Sequence, residues 1–588
     1  MQKNSQPSTK IELKHWLMLI PAILLLGLTP LFIRYFPVKY PALPVTWKLE
    51  GYMVADLFAY GKQQLILVSG VLSLLFLYFH VGGVPFKNKK NARPLMLIGA
   101  TVAWLILTTL TASFPHAAIW GMVEKFEGVL VWLTYIAFAL YIGSLVKLEA
   151  YRTGILRIIL FSGLLVTGLG LSQFLSHDLI RMDWFKALIM PLDVAKSATF
   201  AFEANRVYST LYNPNFVAMY VATLMPISLF MIYREKSFLF KGLWSLFSGL
   251  LAINLVGSKS SGGFAGLALS LGILGFVLVI QKLSTKMQRT LTISAVSITT
   301  IALILFFSGG LNSILNIQKF TPPYNMSNIS TNGFQTIIEY KGKKLIAAAN
   351  PQTLDSVIFY NNDQVQLNVT STPNPDGYYN IVSPDFNEVF FSTGVTENGM
   401  AFINFKIENA NWVFILHPNG MMYVNSMSTT VPFEASKGSG GFVGHENFGS
   451  ARGFIWSRTL PLIAASPLVG YGADNFTVAF PQNDYNLKYQ VYGNPNTLVD
   501  KAHNILLQMT MNFGIPGLIL LLSVIGYSVR TLYRSYISKE DADFKLNLAL
   551  ILCIFGYLGS GLFYDSNLHV SPFFWTFVGF GFKDLFKA

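Results

Sequence analysis

Residues 257–289 read GSKSSGGFAGLALSLGILGFVLVIQKLSTKMQR, and the changes of character within them decide the fold. Between Gly262 and Ile280 there is no charged side chain. At about 1.5 Å per residue, a helix of that length nearly covers the ~30 Å hydrocarbon core of a bilayer. A glycine- and serine-rich turn carrying Lys259 precedes it, and Lys282, Lys286 and Arg289 follow. The same alternation repeats along the 588 residues and gives about twelve apolar windows: 15–36, 63–83, 94–112, 128–146, 154–175, 214–233, 239–256, 262–280, 290–309, 508–529, 546–563 and 571–584. Only 12% of the residues are charged and mean hydropathy is +0.47, against about 25% charge in ordinary soluble domains. The chain reads as an all-α polytopic membrane protein.

The formal charge of +13 does not point to nucleic acid, because the basic residues crowd alternate loops. Lys87, Lys89, Lys90 and Arg93 share one side with Lys147, Arg152, Arg234, Lys236 and Lys241. Lys282, Lys286, Arg289, Arg530, Arg534, Lys539 and Lys545 fall there too, as do Lys3, Lys10, Lys14, Lys583 and Lys587 near the ends. The positive-inside rule makes that side cytoplasmic. With twelve spans both termini are then cytoplasmic, and no loop violates the assignment. The opening apolar run is long and lacks a small-residue cleavage site, so it reads as the first span. Cys553 is the single cysteine and falls within a span, where a packing role is expected and neither a disulfide framework nor a cysteine metal site arises.

Spans one to nine occupy residues 1–309 and spans ten to twelve residues 503–588, leaving 310–502 as a large extracytoplasmic segment. From about 330 to 430 it breaks into seven or so strand-like runs, among them Thr336–Tyr340, Ala401–Ile407 and Trp412–His417. Turn signals separate them, and the pattern predicts an inserted β-sandwich or small barrel. A flexible linker, Ala435–Gly441, leads to a predicted helical segment at 448–466, which ends at Pro467-Leu-Val-Gly-Tyr-Gly472. A second helix is expected from near Val499, through His503, into the tenth span.

On this topology the unusual polar residues collect at the outer face. Asn213 and Pro214 look like the cap and first residue of the sixth span. Arg206 and Asn215 lie beside that helix N-terminus, where backbone N–H groups and a guanidinium together favour an anion. Lys259 stands in a turn whose glycines and serines permit close backbone approach; it resembles a phosphate nest rather than a P-loop. Arg452 and Trp456 are four apart and share one helix face, and an arginine fork can grip two diphosphate oxygens. His503, in Asp500-Lys-Ala-His-Asn504, is the side chain suited to proton transfer near neutral pH, with Asp500 three positions earlier to orient it. Glu127 and Asn504 are supporting candidates. Asp541-Ala-Asp543 imitates a nucleotide-sugar transferase motif but reads as solvated charge in a cytoplasmic loop. No nucleotide fingerprint or metal cluster is evident, so no cofactor is expected.

The succession Arg452-x-x-x-Trp456, Pro467-Leu-Val-Gly-Tyr-Gly472-Ala-Asp-Asn-Phe476, Ala502-His-Asn504-x-x-Leu507-Gln508 and Gly514-Ile-Pro-Gly517 resembles the O-antigen ligase and O-antigen polymerase superfamily. Arg206, Asn213-Pro-Asn215 and the 257–263 turn fit the same pattern, so the resemblance covers most of the membrane portion but not the β-rich insert. It implies a GT-C-like, multi-span glycosyltransferase in a bacterial cytoplasmic membrane. The donor would be a polyprenyl-diphosphate-linked glycan and the acceptor a glycan, lipid or wall polymer, with other envelope-assembly proteins as partners. Arg206 and Arg452 would hold the diphosphate and stabilise it as leaving group, without metal, and His503 would take the acceptor proton. Several members carry arginine where Lys259 stands here, and lysine keeps the charge but loses the fork.

Two further readings stay open. Within the family, a polymerase would pass the glycan to another lipid-linked repeat. In a different class, twelve spans and a cationic cluster suit a transporter or flippase, although few midplane charges mark a path and no internal repeat suggests inverted symmetry. The insert is expected either to contact acceptor glycan, through Tyr378, Tyr379 and Trp412, or to act as a lid or spacer.

Overall fold

The computed structural model describes residues 13–39, 53–81, 89–200, 202–203, 205–310, 312, 316–350, 357–397, 399–426, 428–539 and 543–586. Lys3, Lys10, Lys87, Asp541 and Lys587 lie outside the described residues.

Among the described residues, nine helices are long and apolar enough to cross a membrane. They are α1 (Tyr60–Val81), α2 (Ala92–Leu110), α4 (Glu149–Phe174), α5 (Pro214–Arg234), α6 (Phe238–Ser258), α7 (Ser261–Ile280), α8 (Thr285–Ser308), α10 (Ile505–Ser538) and α11 (Phe544–Gly561). Between them come α3 (Val129–Leu145) and α9 (Phe448–Ala465), and α12 (Ser571–Phe580) follows. Three of the twelve apolar windows thus form shorter helical pieces. The window at 15–36 becomes Leu13–Met18, Ile20–Ala22 and a π-helical turn over Ile23–Leu28; the other two become α3 and α12.

Small residues decide which helices touch. A Cβ at Gly556 of α11 would collide with the Ala222 carbonyl of α5, and one at Gly266 of α7 would meet the Gly556 carbonyl. The glycines therefore let α5, α7 and α11 approach backbone to backbone, the packing that works where lipid removes the hydrophobic drive. At the basic end of this group Arg234 forks onto Asp543, at 2.9 Å from Nε and 2.6 Å from Nη2. The reading of Asp543 as solvated charge is therefore corrected: it is an ion-pair partner tying α5 to the start of α11.

The insert is more regular than the sequence suggests. Eleven strands, from Met326–Asn332 to Thr430–Val431, pair in sequential antiparallel order. The sheet curls until the Met421 N–H donates to the Gly333 carbonyl at 2.7 Å, bringing the first hairpin turn onto the Gly420–Val424 strand. It is one rolled meander rather than a sandwich. Trp412, fully buried, packs with Tyr423, Phe433 and Tyr489 inside it, so its expected place on a glycan-facing surface is corrected to a core position. Tyr489 and Tyr485 come from the following Tyr485–Tyr492 helix, which closes the roll from below.

Candidate active site

At the end of the bundle away from the Arg234–Asp543 pair, five short pieces meet: the N-terminus of α5, the Lys259-Ser260 turn, the start of α9, the turn before α10, and the loop 562–570 between α11 and α12. The Asn213 side chain accepts the Asn215 N–H at 2.9 Å with Pro214 as first helical residue, which is the expected cap. Asn215 Oδ1 in turn accepts from Ser260 Oγ at 2.7 Å. Ser260 also bonds the Tyr564 hydroxyl, which accepts the Gly262 N–H at 3.0 Å. The turn is therefore clamped to the 562–570 loop through one tyrosine.

Arg452 is presented by a sharp entry into α9. Gly449, Ser450 and Ala451 all take left-handed backbone angles, and regular helix begins at Arg452. Its guanidinium lies 6.0 Å from the centre of the Tyr564 ring, and Nε donates to the Phe563 carbonyl at 3.2 Å.

His503 sits beside the next residue of the same loop. Its Nδ1 is 3.8 Å from Asp565 Oδ1. Asp565 is buried and, among the described residues, its second oxygen has no hydrogen-bond partner. The expected helix from Val499 does not form: α10 starts at Ile505, and His503 occupies a left-handed turn with φ +50°. Asp500 therefore shares no helix face with His503 and instead pairs with Lys501 at 3.2 Å, while Asp565 faces the ring. Asn504 caps α10, accepting from Leu506 and Leu507 N–H groups, and its Nδ2 donates to the Leu562 carbonyl at 2.9 Å. Trp456 is buried, and its indole N–H donates to the Ala502 carbonyl at 2.9 Å. It holds the histidine turn from behind rather than facing the open end of the site.

Removal from water is the largest influence on His503 and pushes its pKa down to about 4; Asp565 opposes this and Lys501 adds to it. The ring is neutral at pH 7 and free to accept a proton. Against desolvation, Asp500 and Asp565 hold Lys501 protonated beyond the usual lysine range.

Glu127 is buried beneath the loop, where it accepts from Tyr135 at 3.1 Å and Ser566 at 2.5 Å. Burial raises its carboxyl to about 7, with Lys125 opposing. Lys125 pairs with Asp474 at 3.0 Å, and Asp474 also accepts the Met122 and Glu127 N–H groups. Thus Gly472-Ala-Asp-Asn475 braces the 122–127 segment. The preceding glycines seat it: Tyr471 and Gly472 donate to the Met511 and Asn512 carbonyls, where α10 breaks at Gly514.

Arg206 and Lys259 stand to one side. Lys259 Nζ is 3.1 Å from both Glu203 and Asn205, and the Arg206 guanidinium lies 5.8 Å from the Phe202 ring centre, its Nε without a hydrogen-bond partner among the described residues. The structure thus gathers Arg452, His503, Asn504, Asn215 and Glu127 around the 562–570 loop, with Lys259 joined through its neighbour Ser260. The sequence reading passed over Tyr564 and Asp565, which organise the group. A polar cluster, Tyr564-Asp-Ser-Asn567, between the last two apolar windows was the available signal. It also left His569 without a partner, whereas His569 Nδ1 lies 3.0 Å from the buried Lys62 Nζ. Among the described residues no three His, Cys, Asp or Glu side chains are placed to share a metal ion.

No curated protein and no solved structure matches the chain. Residues 390–522 match the family model described as O-antigen ligase. The match begins in the Val389–Val395 strand, so it takes in the last strands of the insert, which the sequence resemblance had left out. It continues through Arg452, Trp456, the 467–472 segment and His503 into α10. This domain supports the O-antigen ligase and polymerase superfamily for the chain, and with its apolar helices makes it a multi-pass membrane protein with a glycan-transferring role.

Proposed function

We propose that the protein transfers a glycan from a polyprenyl-diphosphate carrier to an acceptor hydroxyl at the outer face of the cytoplasmic membrane. The observation that carries this reading is a neutral histidine set against a buried carboxylate, one residue along the same loop from the tyrosine that flanks Arg452. The acceptor oxygen attacks the anomeric carbon, the carbon–oxygen bond to phosphate breaks, and its electron pair leaves with the polyprenyl diphosphate. His503 takes the acceptor proton. The arriving diphosphate raises the histidine pKa, because a nearby negative charge favours imidazolium. Arg452, together with Arg206 and Lys259, meets the charge that grows on the leaving group. Asp565 holds the ring, while Trp456 and Asn504 position the turn that carries it. The driving force resides in the bond between the glycan and its diphosphate leaving group, so no nucleotide is required. A polymerase using a second lipid-linked repeat as acceptor employs the same groups.

The test is purified protein in lipid with a polyprenyl-diphosphate glycan, comparing wild type with His503→Ala and Arg452→Ala. Polyprenyl diphosphate release that needs acceptor and collapses in both variants supports the transferase. Uncleaved glycan lipid crossing the bilayer equally in all three proteins replaces it with a flippase.

A further inference from the structure

Away from this site, the rolled sheet and the Tyr485–Tyr492 helix enclose a cleft of about 550 Å³, within the ~300–1,000 Å³ of small-molecule sites. Its lining is more apolar than polar, with the carboxylates of Glu434 and Asp484 among its acceptors. Gln490 is 5% exposed, and its Nε2 donates to the Met326 carbonyl. That bond fixes which end of the amide is oxygen, and among the described residues nothing donates to the oxygen, Oε1. A buried carbonyl left unpaired is costly, so the amide gains by turning Oε1 toward a ligand donor in the cleft that Gln490 lines. The exposed carboxylate of Glu434 and the Asn483 amide, 3.5 Å apart, line the same space. Phe320 and Phe433, both half-buried, give it aromatic walls.

The arginine in the wall argues against a phosphate. Arg458 is buried and already neutralised by Glu446 at 2.9 Å, with its Nε on Ser436. What the cleft offers is acceptors, an amide able to both give and take, and flat apolar faces. Those features fit a ligand with many hydroxyl donors and an apolar ring face and no need of a counter-charge. Sugar rings have that chemistry.

We infer that the cleft between the sheet and the Tyr485–Tyr492 helix binds a short, uncharged stretch of oligosaccharide, a glycan site separate from the reacting centre. This rests on the transferase reading for its purpose, though not for the binding itself. Arg458 and Arg452 lie on the same helix about 9 Å apart along its axis, so a glycan held here extends from the chain being transferred or received.

The experiment uses full-length protein in lipid nanodiscs, titrated with oligosaccharides cut from the surface polysaccharide of the cells that make it, followed by saturation-transfer NMR. Wild type and His503→Ala are expected to bind alike. Gln490→Met is expected to lose at least fivefold in affinity. The double variant Glu434→Ala/Asn483→Ala, which alters only partly exposed side chains and so spares the fold, is expected to lose as much. Equal affinity in the double variant, or no binding by wild type, overturns the inference. Binding without any transfer in the assay above sinks the transferase while the cleft stands; transfer with unchanged binding in the double variant removes the cleft alone.

Discussion

His503 and Asp565 carry predictions that belong to single side chains. If His503 is the base, His503→Ala lowers kcat by about 10²-fold or more, the scale of general-base catalysis. The acid limb of kcat/KM falls near pH 4, because the free ring is held down to about 4; a limb at 6.5 in kcat/KM would contradict this. Asp565→Asn removes the charge that supports imidazolium, so the limb moves lower still and kcat drops about tenfold or more. The stability consequence has a definite sign. A histidine kept neutral in the fold and free to protonate near 6.5 when unfolded costs stability as pH falls from about 6.5 toward 4. The cost is modest, because the side chain is 27% exposed. Arg452 and His503 were legible because each lies in a recognisable run of sequence. Asp565 was not, since a whole helix pair separates it from His503 and only folding makes them neighbours.

The elements that hold the site behave as levers. Trp456→Phe keeps the ring but leaves the Ala502 carbonyl buried without its donor, which costs about 1–3 kcal/mol. Circular dichroism melts should show lower stability, and on the proposed mechanism kcat should fall more than KM rises, because a displaced turn misplaces His503 while leaving Arg452 in place. Gly470 has φ +66°, and a Cβ there would lie 2.6 Å from the Met511 carbonyl. Gly470→Ala therefore pays at least ~1–2 kcal/mol in backbone strain and is expected to lower the melting temperature in detergent. Helix positions were legible from apolar windows, and Asn213-Pro214 announced its own helix. The start of α10 was misplaced because Asn504, a readable cap, follows a histidine whose left-handed turn has no sequence marker. Strands were legible from alternation, whereas their rolling into one meander depends on pairings that no local pattern encodes.

At the scale of the molecule, the insert and the membrane bundle are separate cores joined through the helical segment 448–492. Removing residues 326–431 should spare the bundle only if Tyr485 and Tyr489, which the sheet otherwise buries, are made polar at the same time. Such a variant is expected to release polyprenyl diphosphate at near wild-type rate but to discriminate poorly among acceptors, measured by competition between two acceptor glycans. Unchanged discrimination would leave the insert as a spacer. The bundle was largely legible from composition, while the insert's dependence on a helix fifty residues downstream of its last strand was not.

One helix stands apart from this division. No described side chain of α8 is buried along its 24 residues, yet its last turn is gripped: Phe306 and Phe307 pack on Trp456 and Phe442. At about 36 Å it exceeds a ~30 Å core, and such mismatch is relieved by tilt. Acyl-chain length thus becomes a mechanical input, delivered through one indole to the turn that carries His503. Transfer rates in phosphatidylcholines of increasing chain length should pass through an optimum, and Phe307→Ala should flatten that dependence.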